Sequence, residues 1–321
     1  MEKKRATGFP YWHEAALLVI FAALLSLAAV VAPPFLQIQN QLDLSKSSLI
    51  LELALLALPM TFIIITAGID LSVGASMSLA AVVLGMSFEA GLSLWLCVLL
   101  ALATGTMAGL LNGVFVAYVR VHPLIVTLAT MSAYFGIAEG ISHARPISGF
   151  PQSFTSLAAT NIVGVPITGL LFAVAAVGAA VFLAKTPTGQ SLYAIGLNET
   201  AARFSGMAVQ RIKLLIYTLS GAAAGAAAVT YAARWNTAKA DIGLGMELDV
   251  ITAVILGGAS IYGGRGRIVG TLLGVILIHE TRLFVRWHWG KDEVNLIVVG
   301  ALLVLSVLVN ALLSGRKSRE E

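Results

Sequence analysis

An all-α, polytopic transmembrane helical bundle is the fold class this sequence predicts, and three observations predict it. Of 321 residues, 58% are hydrophobic and only 11% carry charge, whereas an ordinary soluble domain carries about 25%. The mean hydropathy of +0.91 removes the soluble globule from consideration. The apolar residues also fall into runs long enough to cross about 30 Å of hydrocarbon.

Ten such candidate spans begin near Ala15, Ser48, Leu71, Ser93, Leu124, Pro166, Ile212, Val250, Val269 and Val294. The first follows Lys3, Lys4 and Arg5 and ends at Ala32-Pro33-Pro34 without a small-residue cleavage signature, so it is expected to persist as a membrane helix. Around Gly263-Gly264 the glycines are compatible with a bend as well as a loop.

An even number of spans puts both tails on one side, and basic residues choose the side. With the tails inside, the inner set is Lys3, Lys4, Arg5, Arg120, Lys185, Arg203, Arg211, Lys213, Arg265, Arg267, Arg316, Lys317 and Arg319, thirteen of the 20 Lys and Arg. Both termini are therefore expected in the cytoplasm. The expected organisation is an N-terminal tail over 1–14, a transmembrane domain over 15–313 and a C-terminal tail over 314–321. The net charge of +4 is small and dispersed, which argues for a membrane surface rather than nucleic acid as partner. The single cysteine, Cys97, lies in an apolar run and reads as packing.

Between the sixth and seventh runs lies the longest polar stretch, Lys185 to Lys213. Thr186-Pro187-Thr188-Gly189 reads as a turn. Asn198 is a candidate N-cap, Glu199 would occupy the first helical turn where the helix dipole favours negative charge, and Gly206 would stop the helix about two turns on. A helix that short needs support from a neighbour, because nucleation is costly and few hydrogen bonds repay it.

Asp70 interrupts Thr66 to Ala80 where two apolar runs meet. Its carboxylate can cap free N–H groups of the following helix, or it can serve a task in the membrane, where an ionisable group is costly enough to need a reason. In the fourth run Gly105, Gly109 and Gly113 recur every four residues and let another helix approach closely. Gly221 with Gly225, and Gly270 with Gly274, repeat that spacing. Asn112, beside the first stripe, suits an interhelical hydrogen bond or a solute path.

His143 to Val165 and Arg234 to Asp249 read as outer connections, the first with an ordered loop or short surface helix. Tyr231, Trp235, Trp287 and Trp289 lie near span ends, where amphipathic rings anchor at the interface. Asp249 precedes an apolar run as Asp70 does, on the opposite side of the membrane in this topology, a pattern consistent with an inverted repeat.

Three of these stretches carry a resemblance. LYAIGLNETAARFSGMAVQRIKLLIY resembles the cytoplasmic coupling segment of membrane subunits of bacterial ABC sugar importers, the ribose-type permease family, at Gly196, Asn198, Glu199, Ala201, Ala202, Arg203 and Gly206. Gly68, Asp70, Ser72 and Gly74 resemble that family's GxDLSVG signature, and Leu256 to Gly274 resembles its glycine-rich segment before the penultimate span. That segment lacks the Gly-Lys-Ser/Thr ending of a phosphate-binding loop.

The resemblance implies a permease subunit of the inner membrane that works with a second copy or a paralogue. It further implies a separate ATPase that binds the ATP and Mg, and a periplasmic or lipid-anchored sugar-binding protein. No cofactor is expected in this chain, and the sugar itself is left open among ribose, another pentose, rhamnose, galactose and the sugar-like autoinducer.

No HExxH, Cys-x-x-Cys or nucleophile elbow occurs, and the five histidines are dispersed, so an enzyme site is not expected. The rival reading is a stand-alone ion-coupled carrier or channel using the carboxylates Glu52, Glu139 and Glu280 that interrupt apolar runs. In the vicinity of Glu280, His279 and Arg282 suggest a local ion pair.

Overall fold

A computed structural model describes residues 12–38, 40, 50–162 and 165–317. Among these the chain forms thirteen α-helices. In order they are α1 (Trp12–Val31), α2 (Ile50–Ile65), α3 (Val73–Glu89), α4 (Leu94–Val114), α5 (Pro123–Ser142), α6 (Gln152–Ala159), α7 (Ile167–Lys185), α8 (Pro187–Leu197), α9 (Glu199–Phe204), α10 (Val209–Trp235), α11 (Met246–Leu256), α12 (Ile268–Trp289) and α13 (Asp292–Lys317). A π-helical turn, Phe115–Val119, prolongs α4. Two antiparallel ladders of two residues per strand pair Ile147–Ser148 with Thr237–Ala238 and Asn161–Ile162 with Val165–Pro166. Lys3, Lys4, Arg5, Lys46, Ser48, Gly164 and Arg319 lie outside the described residues.

The all-α bundle expected from composition is the observed architecture. A helix buried all round has no polar face, and α2 is of this kind, with almost every side chain from Glu52 to Ile65 buried. The long helix α10 packs against α2, α3 and α4. Its crossing with α4 is made by the predicted glycines. A methyl group built on Gly105 would lie 2.6 Å from the amide nitrogen of Gly225, and one on Gly109 would lie 2.7 Å from that of Gly221. Gly113 sits over the backbone of Leu214. Association inside lipid depends on such close packing, since burying apolar surface gains nothing there. A second stripe works the same way, with Gly270 against Gly257 and Gly274 against the carbonyl of Ala253, so α12 lies directly on α11.

Among the described residues, five helices are long and apolar enough to cross a membrane, namely α4 with its π turn, α5, α7, α10 and α12. Leu17–Val31, α2, α3 and Glu293–Leu308 are shorter apolar helices. With eleven residues α11 spans only about 16 Å, half the hydrocarbon thickness. It ends at Leu256, and Gly257-Gly258 begin the glycine-rich connection to α12, so the glycines near 263 belong to an eleven-residue connection, 257–267, rather than to a bend in one helix.

One expectation needs correction here. The stretch Thr186-Pro187-Thr188-Gly189 is no simple turn but the start of α8. Thr186 Oγ1 accepts the N–H of Gly189 at 3.0 Å as an N-cap, and Pro187 takes the first helical position, where its missing N–H costs nothing. The segments of Asp70 and Asp249, expected to enter from opposite sides, also meet. Gly243, two residues before the cap of α11, packs its backbone on Gly74 and donates its N–H to Ser78 Oγ at 3.0 Å, so the starts of α3 and α11 meet inside the bundle.

Candidate coupling site

The polar stretch 185–213 folds into α8, α9 and the first turn of α10. At its entrance Gln190 Nε2 donates to the carbonyls of Leu183 at 3.0 Å and Ala184 at 3.2 Å, which satisfies two orphan acceptors at the end of α7. Gly189 has no side chain because the carbonyl of Phe182 occupies the space a methyl would need. α8 is thereby tied directly to the end of α7 where the chain enters the polar stretch.

At the far end of α8, Gly196 lies on the carbonyl of Ile65, the last residue of α2. The same carbonyl accepts the N–H of Gly264 at 2.8 Å, and Gly263 packs on the backbone of Gly196. Tyr193 Oη adds a bond to the carbonyl of Gly266 at 2.9 Å. The three stretches singled out in the sequence therefore converge: the coupling segment, the end of the run preceding Asp70, and the glycine-rich loop. Gly263 and Gly264 both hold positive φ, 84° and 72°, a conformation that glycine adopts freely and other residues rarely do.

α9 follows at once. Asn198 Oδ1 accepts the N–H of Ala201 at 2.9 Å, the cap expected from its position. The helix ends at Phe204, and Gly206, with φ of 81°, turns the chain so that its own N–H reaches the Arg203 carbonyl and that of Met207 reaches Ala202. Ala202 is buried, whereas Ala201 faces outward. Gly206 itself meets open space, so its requirement is backbone conformation and not close approach.

Glu199 ties this short helix to α10. Its two oxygens receive Lys213 Nζ at 2.5 Å and Arg203 at 2.9 Å. Partial burial works against ionisation, but the Lys213 ammonium and the Arg203 guanidinium outweigh it and hold the carboxyl below the usual glutamate range. Two large apolar side chains also stay uncovered in this polar stretch: Phe204, the last residue of α9, is 87% exposed, and Leu197, the last residue of α8, is 73% exposed although its end lies over Gly264. Neither was selected from the sequence, where the eye goes to charges and glycines; the available signal was a large apolar residue on each side of a polar six-residue helix.

The second group of predicted residues also comes together. Asp70 Oδ1 accepts the N–H of Ser72 at 2.9 Å and its hydroxyl at 2.7 Å, while Oδ2 accepts the hydroxyl of Ser220 on α10 at 2.9 Å. Asn112 Nδ2 on α4 donates to Ser72 Oγ at 2.7 Å. The carboxylate thus binds the N–H just before α3 and joins α3, α4 and α10. All four side chains are buried, so none lines an open channel in this conformation.

The carboxylates considered for ion coupling are differently placed. Glu52 is fully buried and held through both oxygens by Arg234, at 2.8 and 3.0 Å. Arg282 does not pair with Glu280, because Asp249 takes its guanidinium at 2.5 Å. Glu139 lies on the exposed face of α5. Tyr231 stacks on Trp235 with ring centroids 6.0 Å apart at the end of α10, and Trp287 and Trp289 are half-exposed at the end of α12.

Residues 46–307 match the family described as the permease component of the branched-chain amino acid transport system. The chain belongs to this permease family. Relatives named autoinducer 2 import system permease protein LsrD accompany that match. The Yersinia enterocolitica protein is 36% identical over 262 residues, covering 80% of this chain and 79% of the relative. The Klebsiella pneumoniae protein is 35% identical over 305 residues, covering 93% and 91%, and that of Escherichia coli K12 32% identical over 304 residues, covering 93% and 92%. No solved structure matches. As a permease of the ABC import family, the chain has a transport role, and the resemblance noted in its sequence is confirmed at that level. The match begins near α2 and includes Asp70, the glycine crossings, α8 and α9, and the loop at Gly263.

Proposed function

We propose that this chain is the membrane subunit of an ATP-driven importer, receiving mechanical work through α8 and α9 from a separate ATPase. The observation that carries this reading is the exposed pair Leu197, at the end of α8, and Phe204, at the end of α9, next to the wedge that Gly196 of α8 makes against α2 and the glycine loop. The module offers an apolar contact outward and a rigid one inward. A partner that pushes on α9 displaces α8, and with it the end of α2, the loop before α12 and the Asp70 cluster beyond.

In this reading ten membrane-embedded helices, of which α11 crosses only halfway, lie over residues 15–313 in the bacterial inner membrane, with both termini and α8–α9 in the cytoplasm. The excess of Lys and Arg on that side supports the orientation. A second copy or paralogue completes the solute path, and a periplasmic or lipid-anchored binding protein delivers the solute to the opposite end, where α6 and the Ile147–Ser148 ladder provide an ordered surface. ATP and Mg belong to the partner. The solute is a monosaccharide or a sugar-like molecule, and autoinducer 2 is the first to test, given the names of the relatives. Ion coupling by this chain alone has less support, since Glu52 and Asp249 are each committed to an arginine.

The test is uptake into proteoliposomes. Chain, ATPase and binding protein together should accumulate labelled autoinducer 2 or a monosaccharide only with ATP. Accumulation by the chain alone under a proton or sodium gradient would overturn the proposal.

A further inference from the structure

A cleft of about 300 Å³ opens beside the coupling module, between the π-helical end of α4 and the start of α10. Three guanidinium groups line it, those of Arg120, Arg203 and Arg211, and its wall includes no carboxylate. Arg203 is shared with Glu199. Arg120 and Arg211 are exposed and form no ion pair with any described residue.

The backbone brings Arg120 to this place at a cost. The last turn of α4 widens to a π turn, and Arg120 follows in the left-handed region at φ of 66°, which side-chain-bearing residues seldom occupy. Its N–H returns to the carbonyl of Phe115, so the turn closes on itself and leaves the guanidinium free.

The surroundings of the cleft decide what it holds. Along α4 and its π turn, Leu111, Phe115, Tyr118 and Val119 are exposed, and Leu215 and Leu219 on α10 form a matching apolar surface. The cleft lies where that belt ends, and Tyr118 stands in its wall as a phenol at a boundary between apolar and wet layers. Two unpaired arginines at the rim of an exposed apolar surface present planar, paired N–H donors, the geometry that grips phosphate oxygens. An acidic segment of a protein would find the charge but not the adjoining acyl-chain surface.

We infer that Arg120 and Arg211 bind the headgroup phosphate of an anionic phospholipid, whose chains lie along the exposed face of α4 and α10. The inference rests on the proposed orientation, in which this end of the bundle faces the negatively charged cytoplasmic leaflet. It does not require the ATPase, so the test uses the full chain purified alone.

Native mass spectrometry of the detergent-solubilised protein, supplied with phosphatidylglycerol or phosphatidylcholine, reads retained lipid. Wild type should retain phosphatidylglycerol preferentially. The pair Arg120→Ala and Arg211→Ala should lose it, by roughly fivefold for each arginine removed, while Arg120→Lys with Arg211→Lys keeps the charge but not the paired donors and should retain more than the alanine pair and less than wild type, which separates charge from folding. Equal retention by wild type and the alanine pair would overturn the inference. So would displacement of the lipid by inorganic phosphate at millimolar concentration, which would mark a soluble-anion site.

Discussion

Gly196 rests against the carbonyl oxygen of Ile65, so closely that the simplest side chain would overlap it. Through this contact α8 reaches α2, the buried helix at the centre of the bundle, with no flexible side chain between them. Gly196→Ala must push the two backbones apart or break the Gly264 N–H bond to the same oxygen. A cost of roughly 1–3 kcal/mol is expected, as for other overpacked sites, together with loss of ATP-dependent uptake. Thermal unfolding of the purified chain checks the first part, and full stability in the variant would show that the wedge is slack.

Phe204→Ala should behave in the opposite way. The side chain is almost wholly exposed in the isolated chain, so unfolding is expected to stay within about 0.5 kcal/mol of wild type, as for other surface changes. On a partner, however, a buried aromatic anchor is commonly worth 2 kcal/mol or more, so capture of the ATPase should fall at least about thirtyfold. Co-purification at graded ATPase concentrations measures it. Undiminished capture would place the contact elsewhere.

Much of this was legible in the sequence. Glycines at intervals of four announced the α4–α10 and α11–α12 crossings because steric exclusion leaves a periodic mark, and Asn198 announced a helix start because capping is a local matter of one side chain and the next three residues. The convergence of Gly196, Ile65 and Gly264 left no such mark, since it is a meeting of three chain segments far apart in number. Pro187 misled for a related reason: proline signals a turn or a first helical residue equally well, and only the Thr186 cap decides between them.

Glu199→Gln should loosen α9 without unfolding the bundle. Both ion pairs are partly solvated, so their combined contribution is small, about 1 kcal/mol or less. The sign of its pH dependence follows from the lowered carboxyl. The folded chain holds that proton less tightly than the unfolded chain, so the contribution is complete above the ordinary glutamate range and disappears as pH falls through the lowered value. The stability difference between wild type and Glu199→Gln should be constant from about pH 6 to 8 and shrink on acidification below the ordinary glutamate range. A difference that grows in acid contradicts the assignment.

Asp70→Ala leaves the hydroxyls of Ser72 and Ser220 and one N–H without their acceptor in a buried site. Each orphaned group costs about 1–3 kcal/mol, so this variant should be among the least stable single changes in the chain. Ser220→Ala, which removes one donor and leaves Asp70 its two bonds to Ser72, should cost only about 1 kcal/mol. Chemical denaturation in mild detergent gives the order, and a Ser220→Ala variant as damaged as Asp70→Ala would mean that the link to α10 carries the cluster.

Labelling position 204 tests the central claim most directly. The native Cys97 is buried and contributes no background, so a Phe204→Cys variant carries one reactive thiol. Work entering through α9 predicts that this thiol is modified only from the cytoplasmic side of sealed vesicles, and that the ATPase, when bound, shields it or crosslinks to it. Modification from the outer side, or reactivity indifferent to the ATPase, would contradict the account.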